Sequence, residues 1–330
     1  MPSTYYAEHS VALRRELADT LDSEAVRRLH DKRPLRHFLL LARQFLLLGA
    51  AEFLLIVFGW RWFTPLAAGV AGFTIFNFTV LLHEVIHQAV TARDQARPKL
   101  ARFLSLLYAI PSGISASQFS RWHLDHHAGL GSYEDDPKRH WLSPKINARW
   151  LKLAYFTPAL LPIYFRAAAR ENAGYPPELR RKIARERWAT VLLQLGVLGL
   201  LWILGGWEIA LRAYLIPVFF VFPIAFALNR LGQHYGINPE DPANWATLVK
   251  GSWFWDFAFI YSNYHLEHHY FPGVPCYRLP QLQKLLAPLY QRHAIPYRSY
   301  GGLFWDYIIR NRAPHTRWET PAEATTPVVA

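Results

Sequence analysis

Long apolar stretches, grouped in two pairs, dominate the polarity pattern of this chain. Phe38 to Phe58 runs for 21 residues broken only by Arg43, Gln44 and Glu52, and Trp62 to Leu82 gives a second 21 with no charge at all. Only Gly59, Trp60 and Arg61 separate them, room for nothing but a tight helical hairpin. Trp188 to Leu204 and Ile209 to Leu228 repeat the layout across Gly205-Gly206-Trp207-Glu208. At about 1.5 Å per residue, each stretch falls in the range of about 17–25 residues that crosses a hydrocarbon core of about 30 Å. The pattern predicts an all-α integral membrane protein with four transmembrane helices in two hairpins and a helical cap. The spans are expected at about 38–58, 62–82, 188–204 and 209–228.

Two further apolar stretches, Phe103 to Ile114 and Leu151 to Phe165, are short or broken by Pro, and are expected to lie in the membrane interface as helices. Residues 1–37 are polar, hold seven Lys/Arg, and lack the apolar core and cleavage site of a secretory signal, so this end is expected to stay cytosolic. Residues 1–313 read as one domain, and the Thr/Pro/Ala-rich residues 314–330 as a loose tail.

Charge then orients these elements. The chain carries 36 Lys+Arg against 24 Asp+Glu, a net +12, which by itself would suit a nucleic-acid partner. Sorted by segment, however, only Arg43, Arg61 and Arg212 fall inside the hairpins, and the other 33 Lys/Arg, with 22 Asp/Glu, lie outside them. That asymmetry is the positive-inside pattern, and it puts the N-terminal, middle and C-terminal segments together on the cytosolic face. No nucleic acid is expected, and the membrane is a bacterial inner membrane or an endoplasmic reticulum. Trp60, Trp62, Trp188 and Trp207 stand at helix ends, where an indole bridges apolar and wet surroundings. The single Cys, Cys276, excludes an intramolecular disulfide, a Cys-ligated iron–sulfur cluster and a C-x-x-C-H haem attachment.

Histidine supplies the candidate chemistry. The second span is followed by His83-Glu84-Val85-Ile86-His87, the middle segment contains His123-Leu124-Asp125-His126-His127, and the last contains His265-Leu266-Glu267-His268-His269. On a helix, positions i, i+3 and i+4 share a face, so each box can aim its rings at a metal. The first box alone is also the H-E-x-x-H of zinc hydrolases, with Glu84 as general base. His234, at the end of the fourth span, is a ninth candidate at the depth of His83. His9, His30, His37, His140, His293 and His315 read as ordinary solvated or core residues.

Nine imidazoles are too many for one tetrahedral zinc and suit two metals of higher coordination. An all-nitrogen set without thiolate points to iron, although ligand type alone leaves other first-row metals open. Carboxylate-bridged di-iron bundles need two Glu-x-x-His pairs, and only Glu84 to His87 has that spacing. Glu84, Asp125 and Glu267 are cast instead as partners that fix the tautomers of neighbouring rings.

At these boxes the sequence resembles the membrane fatty acid desaturase and hydroxylase family, whose signature is H-x(3,4)-H, H-x-x-H-H and H-x-x-H-H. The likeness runs from about Leu13 to Tyr307. Its layout is most similar to the sphingolipid Δ4-desaturase branch: a Gly and acidic run, Gly129 to Asp136, follows the second box, and Phe271-Pro272-Gly273-Val274-Pro275 follows the third. Acyl-lipid desaturases and carotenoid ketolases carry a similar third box. Where relatives often have Glu-His after the last span, this chain has Gln233-His234.

The resemblance implies a mushroom-shaped protein whose cytosolic cap holds two irons over the mouth of a substrate tunnel. The implied reaction takes O2 as co-substrate and breaks an unactivated C–H bond of a lipid chain, ending in a double bond or, in the hydroxylase and ketolase alternative, in an oxygenated product. An intramembrane zinc hydrolase and a non-catalytic metal-binding protein remain as readings from other classes. Electrons must come from outside, because no G-x-G-x-x-G in strand-to-helix context and no His-Pro-Gly-Gly haem motif is present. An acidic ferredoxin or cytochrome b5 suits the basic cytosolic face.

Overall fold

A computed structural model describes residues 3–91 and 98–313. The tail expected at 314–330, with His315, lies outside the described residues. Three short helices open the chain, α1 (Tyr5–His9), α2 (Val11–Thr20) and α3 (Ser23–Leu29), followed by two long ones, α4 (Pro34–Val57) and α5 (Thr64–Ile86). Next come α6 (Pro98–Ala109), α7 (Ala116–Gly129), α8 (Arg149–Ala154), α9 (Leu160–Ala173), α10 (Pro177–Ala210) and α11 (Phe222–His234). Short helices complete the cap: α12 (Trp253–Ala258), α13 (His265–Tyr270), α14 (Leu279–Leu285), α15 (Ala287–Arg292) and α16 (Tyr300–Phe304). Among the described residues there is no sheet, and strand-like pairing is confined to one isolated bridge between Val249 and Arg298.

Three helical stretches are long and apolar enough to cross a membrane: Pro34–Val57, Thr64–Ile86 and the 58-residue run Pro177–His234. The third is not straight. Gly206 sits at φ +73°, ψ −178°, a conformation that L side chains rarely adopt. Tyr214 Oη then donates to Gln194 Oε1 at 2.6 Å, although twenty residues of straight helix would separate them by about 30 Å. The chain therefore doubles back within the Gly-Gly link that separates the two apolar stretches. Between α10 and α11 the backbone widens into a π-helix, Leu211–Val221, around Pro217, which has no N–H to give to a regular helical ladder.

Helix α5 is the inner member of the bundle. Of its apolar window 72% is buried, against 17% for α4, which presents Leu46 and Phe53 outward. Close approach on α5 depends on Gly72, where a Cβ would stand 2.4 Å from the Val221 side chain and 2.8 Å from the Pro217 carbonyl. The helix also runs four residues past the apolar stretch, so that the first box begins within its last turn.

Helix α10 starts eleven residues before its apolar stretch because its polar first turns have a task in the cap. Glu186 accepts from Ser115 Oγ (2.7 Å), from the Ser117 amide (2.8 Å) and from Ser117 Oγ (2.6 Å). Arg187 donates to Gln118 Oε1. Both contacts fix the N-terminal turn of α7, the helix of the second box, where Ser115 also caps the Gln118 amide. The stretches expected in the interface form α6, α8 and α9, none of them long enough to span. Buried Lys152 on α8 donates to the carbonyls of Tyr307 and Arg312 and to Asn311 Oδ1, which ties down the C-terminal segment.

Candidate metal centre

Four elements bring the boxes together: the C-terminal end of α5, α7, the last turn of α11 and the six-residue α13. Their nine rings form two groups. His83, His87, His123, His127 and His268 make one, His126, His234, His265 and His269 the other, and within each group the ligand atoms lie within 4.8 Å of one another. The split follows helical spacing. Rings four apart stay together (His83 with His87, His123 with His127, His265 with His269), while the i+3 rings His126 and His268 cross to the opposite group. The two H-x-x-H-H boxes thus each serve both groups, in exchanged roles.

Distances within the groups match those between neighbouring donors on one metal. In the four-membered group the Nε2 atoms of His126 and His234, of His234 and His265, and of His265 and His269 are each 3.0 Å apart. In the five-membered group the spacings are 2.7 Å for His87–His123, 3.0 Å for His123–His127 and 3.1 Å for His127–His268. Nitrogens bound at about 2.1 Å would stand about 3.0 Å apart at neighbouring corners of an octahedron and about 3.4 Å apart in a tetrahedron.

The protons on Nδ1 settle the matter for one pair. His126 Nδ1 lies 2.8 Å from Asp136 Oδ1, and His234 Nδ1 lies 3.0 Å from the Trp245 carbonyl, which can only accept. Burial alone would raise the Asp136 carboxyl, but His126 beside it brings it down to about 2, so it is ionised. Burial, opposed by Asp136, takes His126 down to about 4, so the ring is neutral with its proton on Nδ1. Both Nε2 atoms then present lone pairs to each other, an arrangement that only a shared cation makes favourable. Burial also pushes His87, His123, His127, His265, His268 and His269 well below the usual imidazole range, and neighbouring rings add to the effect. Neutral imidazole is the metal-binding form.

The expected carboxylate partners need correction. Asp125 accepts from Arg121 Nε at 2.6 Å and bonds to no histidine among the described residues, because at i+2 from His123 it turns off the box face. Glu267 accepts from Gln283 Nε2 and Tyr290 Oη, each at 2.7 Å, and bonds to no box ring. Burial raises its carboxyl to about 7. Glu84 comes nearer, with Oε1 3.9 Å from His83 Nδ1, but its Oε2 accepts the Cys276 amide at 2.9 Å. Among the described residues the carboxylate hydrogen-bonded to a box ring is Asp136, and the acidic run after the second box was its signal in the sequence.

A second group missed by sequence reasoning is Lys138, whose Nζ lies 2.9 Å from His123 Nδ1. A ring that offers Nε2 to a metal carries its proton on Nδ1, so it donates to Lys138, whose amine must then be neutral. Burial, reinforced by Arg230, brings that amine down to about 7. Four other histidines bond elsewhere: His9 and His30 to backbone carbonyls one turn back, His37 to Tyr108 Oη, and His293 to Glu16 and Asp241.

Beside the two groups lies a cavity. His83, His123, His265 and His268 line it on one side, and Phe76, Val80, Leu142 and Phe226 line it elsewhere. A smaller, mostly apolar cavity shares Thr79, Phe119, Tyr164 and Phe226 with the first and extends toward Leu160, Phe165 and Phe222.

Fold and site define a helical protein with membrane-length segments and two imidazole clusters able to bind metal beside a partly apolar cavity. The pattern of the family described as Fatty acid desaturase matches residues 59–301, and the chain belongs to that family of oxidoreductases. It is 27% identical over 257 residues to the sphingolipid delta(4)-desaturase/C4-monooxygenase DES2 of Bos taurus, covering 76% of this chain and 73% of that one. It is 24% identical over 264 residues to the sphingolipid delta(4)-desaturase DES1 of Drosophila melanogaster, covering 76% and 74%. It is 23% identical over 282 residues to the dihydrorhizobitoxine desaturase of Bradyrhizobium elkanii, covering 80% and 78%.

Proposed function

We propose that this protein is a membrane-bound non-haem di-iron oxygenase that uses O2 and external electrons to desaturate a fatty-acyl or sphingoid chain of a lipid. The observation that carries the reading is the pair of facing imidazole groups, five and four rings, set beside a cavity with an apolar portion in a chain of the desaturase family. His83, His87, His123, His127 and His268 would hold one iron, and His126, His234, His265 and His269 the other. Two irons held there supply, with O2 and electrons, the power to break an unactivated C–H bond. Five and four donors both fall short of six, which leaves room for O2.

The chain's own groups do the rest. Asp136 and the Trp245 carbonyl keep the His126 and His234 rings oriented through their Nδ1 protons. The apolar cavity walls exclude water and hold a hydrocarbon chain beside the rings. The turn at Gly206 supports four crossings in two hairpins, and the excess of Lys/Arg outside them supports a cytosolic active site that meets a ferredoxin or cytochrome b5. The names of the mammalian and insect relatives, sphingolipid desaturases, support a lipid substrate.

A zinc hydrolase with Glu84 as base fits less well, because the Glu84 carboxylate is bonded to the Cys276 amide and nine rings exceed what one zinc uses. Lipid mass spectrometry of a host carrying a redox partner, expressing wild type beside His265→Ala, tests the reading. A wild-type product lighter by two hydrogens means desaturation and one heavier by an oxygen means hydroxylation, each absent in the variant. Unchanged lipids in a host that supplies substrate and electrons would sink the enzyme reading.

A further inference from the structure

The larger cavity is not uniformly apolar. One part of its wall carries Lys138, Asn229, Arg230, Gln233 and Ser262. Asn229 and Gln233 bond to each other (2.8 Å), and Asn229 donates to Ser262 Oγ (2.9 Å), forming a polar strip along α11. Arg230 stands four residues before His234, on the same face of α11 and one turn away, about 6 Å along the axis.

Arg230 is 9% exposed, and its Nη2 donates to the Lys138 carbonyl (3.2 Å) and to Ser143 Oγ (3.1 Å). It forms no ion pair among the described residues. Asp136, the carboxylate that acts on it electrostatically, has its Oδ1 engaged by His126 and by the amides of Lys138 and Arg139. Glu84, the one acid on the cavity wall, is turned to the Cys276 amide. A guanidinium keeps its charge when buried, and its planar fork matches carboxylate and phosphate oxygens. Burying it beside a cavity without a paired anion is unfavourable unless a ligand completes the pair.

We propose that Arg230 is a specificity-determining residue that holds an oxyanion at the polar end of the substrate. The substrate is accordingly an anionic amphiphile, oxidised a few carbons from that end, with the rest of its chain running past Phe119 and Phe226 into the smaller apolar cavity. The proposal rests on the lipid-oxidising reading above and deepens it by naming the head group and the site of attack.

The test measures binding. Purified, iron-loaded, full-length protein in nanodiscs is titrated with radiolabelled hexadecanoate, hexadecyl phosphate and hexadecanol, counted above empty nanodiscs. Wild type should bind at least one anionic probe about tenfold more tightly than the alcohol, the size of one charge-assisted contact. The tighter of the two anions tells carboxylate from phosphate. Arg230→Gln should bring the three probes to about the same affinity with iron content unchanged, and Arg230→Lys should restore part of the preference. Equal binding of all three probes by wild type overturns the proposal without any variant, as does a preference that survives in Arg230→Gln. Oxidised host lipid without head-group preference removes this inference alone, whereas head-group preference without oxidised lipid removes the oxygenase reading alone.

Discussion

The Nε2 atoms of His126 and His234 stand 3.0 Å apart although the protons of both rings are on Nδ1, given to Asp136 and to the Trp245 carbonyl. Two lone pairs at that distance repel, and a cation between them reverses the sign. His234→Ala removes one of the four donors of its group and leaves the five-membered group whole. Iron measured by mass spectrometry on purified protein should fall from about two per chain to about one, since structural metal binding depends on the full ligand set. Two irons retained in the variant would remove His234 from the centre.

The carboxylates after and within the second box separate cleanly. Asp136→Asn loses the ionised acceptor of the His126 Nδ1 proton, and changes of this kind lower metal affinity by about 10–100-fold. Asp125→Asn loses only a part-buried helical i,i+4 pair with Arg121, which contributes about 1 kcal/mol. Competition with a graded series of chelators should therefore strip iron from Asp136→Asn at much lower chelator strength than from Asp125→Asn or wild type. Equal loss from the two variants would contradict the assignment.

The spacing of the boxes made eight of the nine rings legible in the sequence, because i and i+4 on a helix must share a face whatever else the fold does, and His234 was legible only from its place at the end of the fourth apolar stretch. Which ring would cross to the other group was not legible: His126 and His268 are sorted by how α7 and α13 face each other, a tertiary relation with no local signature. The partners were hidden for a related reason. Asp136 lies ten residues beyond His126, across a turn, and the group that orients His234 is a backbone carbonyl, which every residue possesses. The hairpin at Gly206 was visible as a Gly-Gly pair between apolar runs, whereas the early start of α10 was not, since residues 177–187 are too polar to read as part of a span and become helical for their contacts with α7.

Glu186 makes that contact measurable. Its carboxylate takes three hydrogen bonds from Ser115 and Ser117 at the start of α7. Glu186→Ala leaves the Ser117 amide and two hydroxyls without that partner, and the loss should amount to about 1–3 kcal/mol. In a chain of this size each kcal/mol moves the thermal midpoint by about 1.5 °C, so a fall of about 1.5–4 °C is expected by differential scanning fluorimetry in detergent. Iron should also be lost more readily, because α7 carries three of the nine rings. A midpoint within error of wild type would show that α7 is positioned without Glu186.

Acid should weaken the metal-free fold earlier than its carboxylates alone would predict. His87, His123, His126, His127, His265, His268 and His269 are all depressed below the usual imidazole value by burial. Below about pH 6.5 the unfolded chain takes up a proton on each of these rings while the folded chain does not, so stability falls as the pH drops. Each ring contributes up to about 1.4 kcal/mol per pH unit in that window, and above it both states are neutral and the contribution is constant. Asp136 acts elsewhere: its carboxyl, held down to about 2, loses its contribution only as the pH falls from the usual 3.8 toward that value. Chelated protein should therefore show a midpoint at least about 5 °C lower at about pH 5.5 than at about pH 7.5. A flat profile across that interval would show that the rings take up protons in the folded chain and would contradict the burial argument.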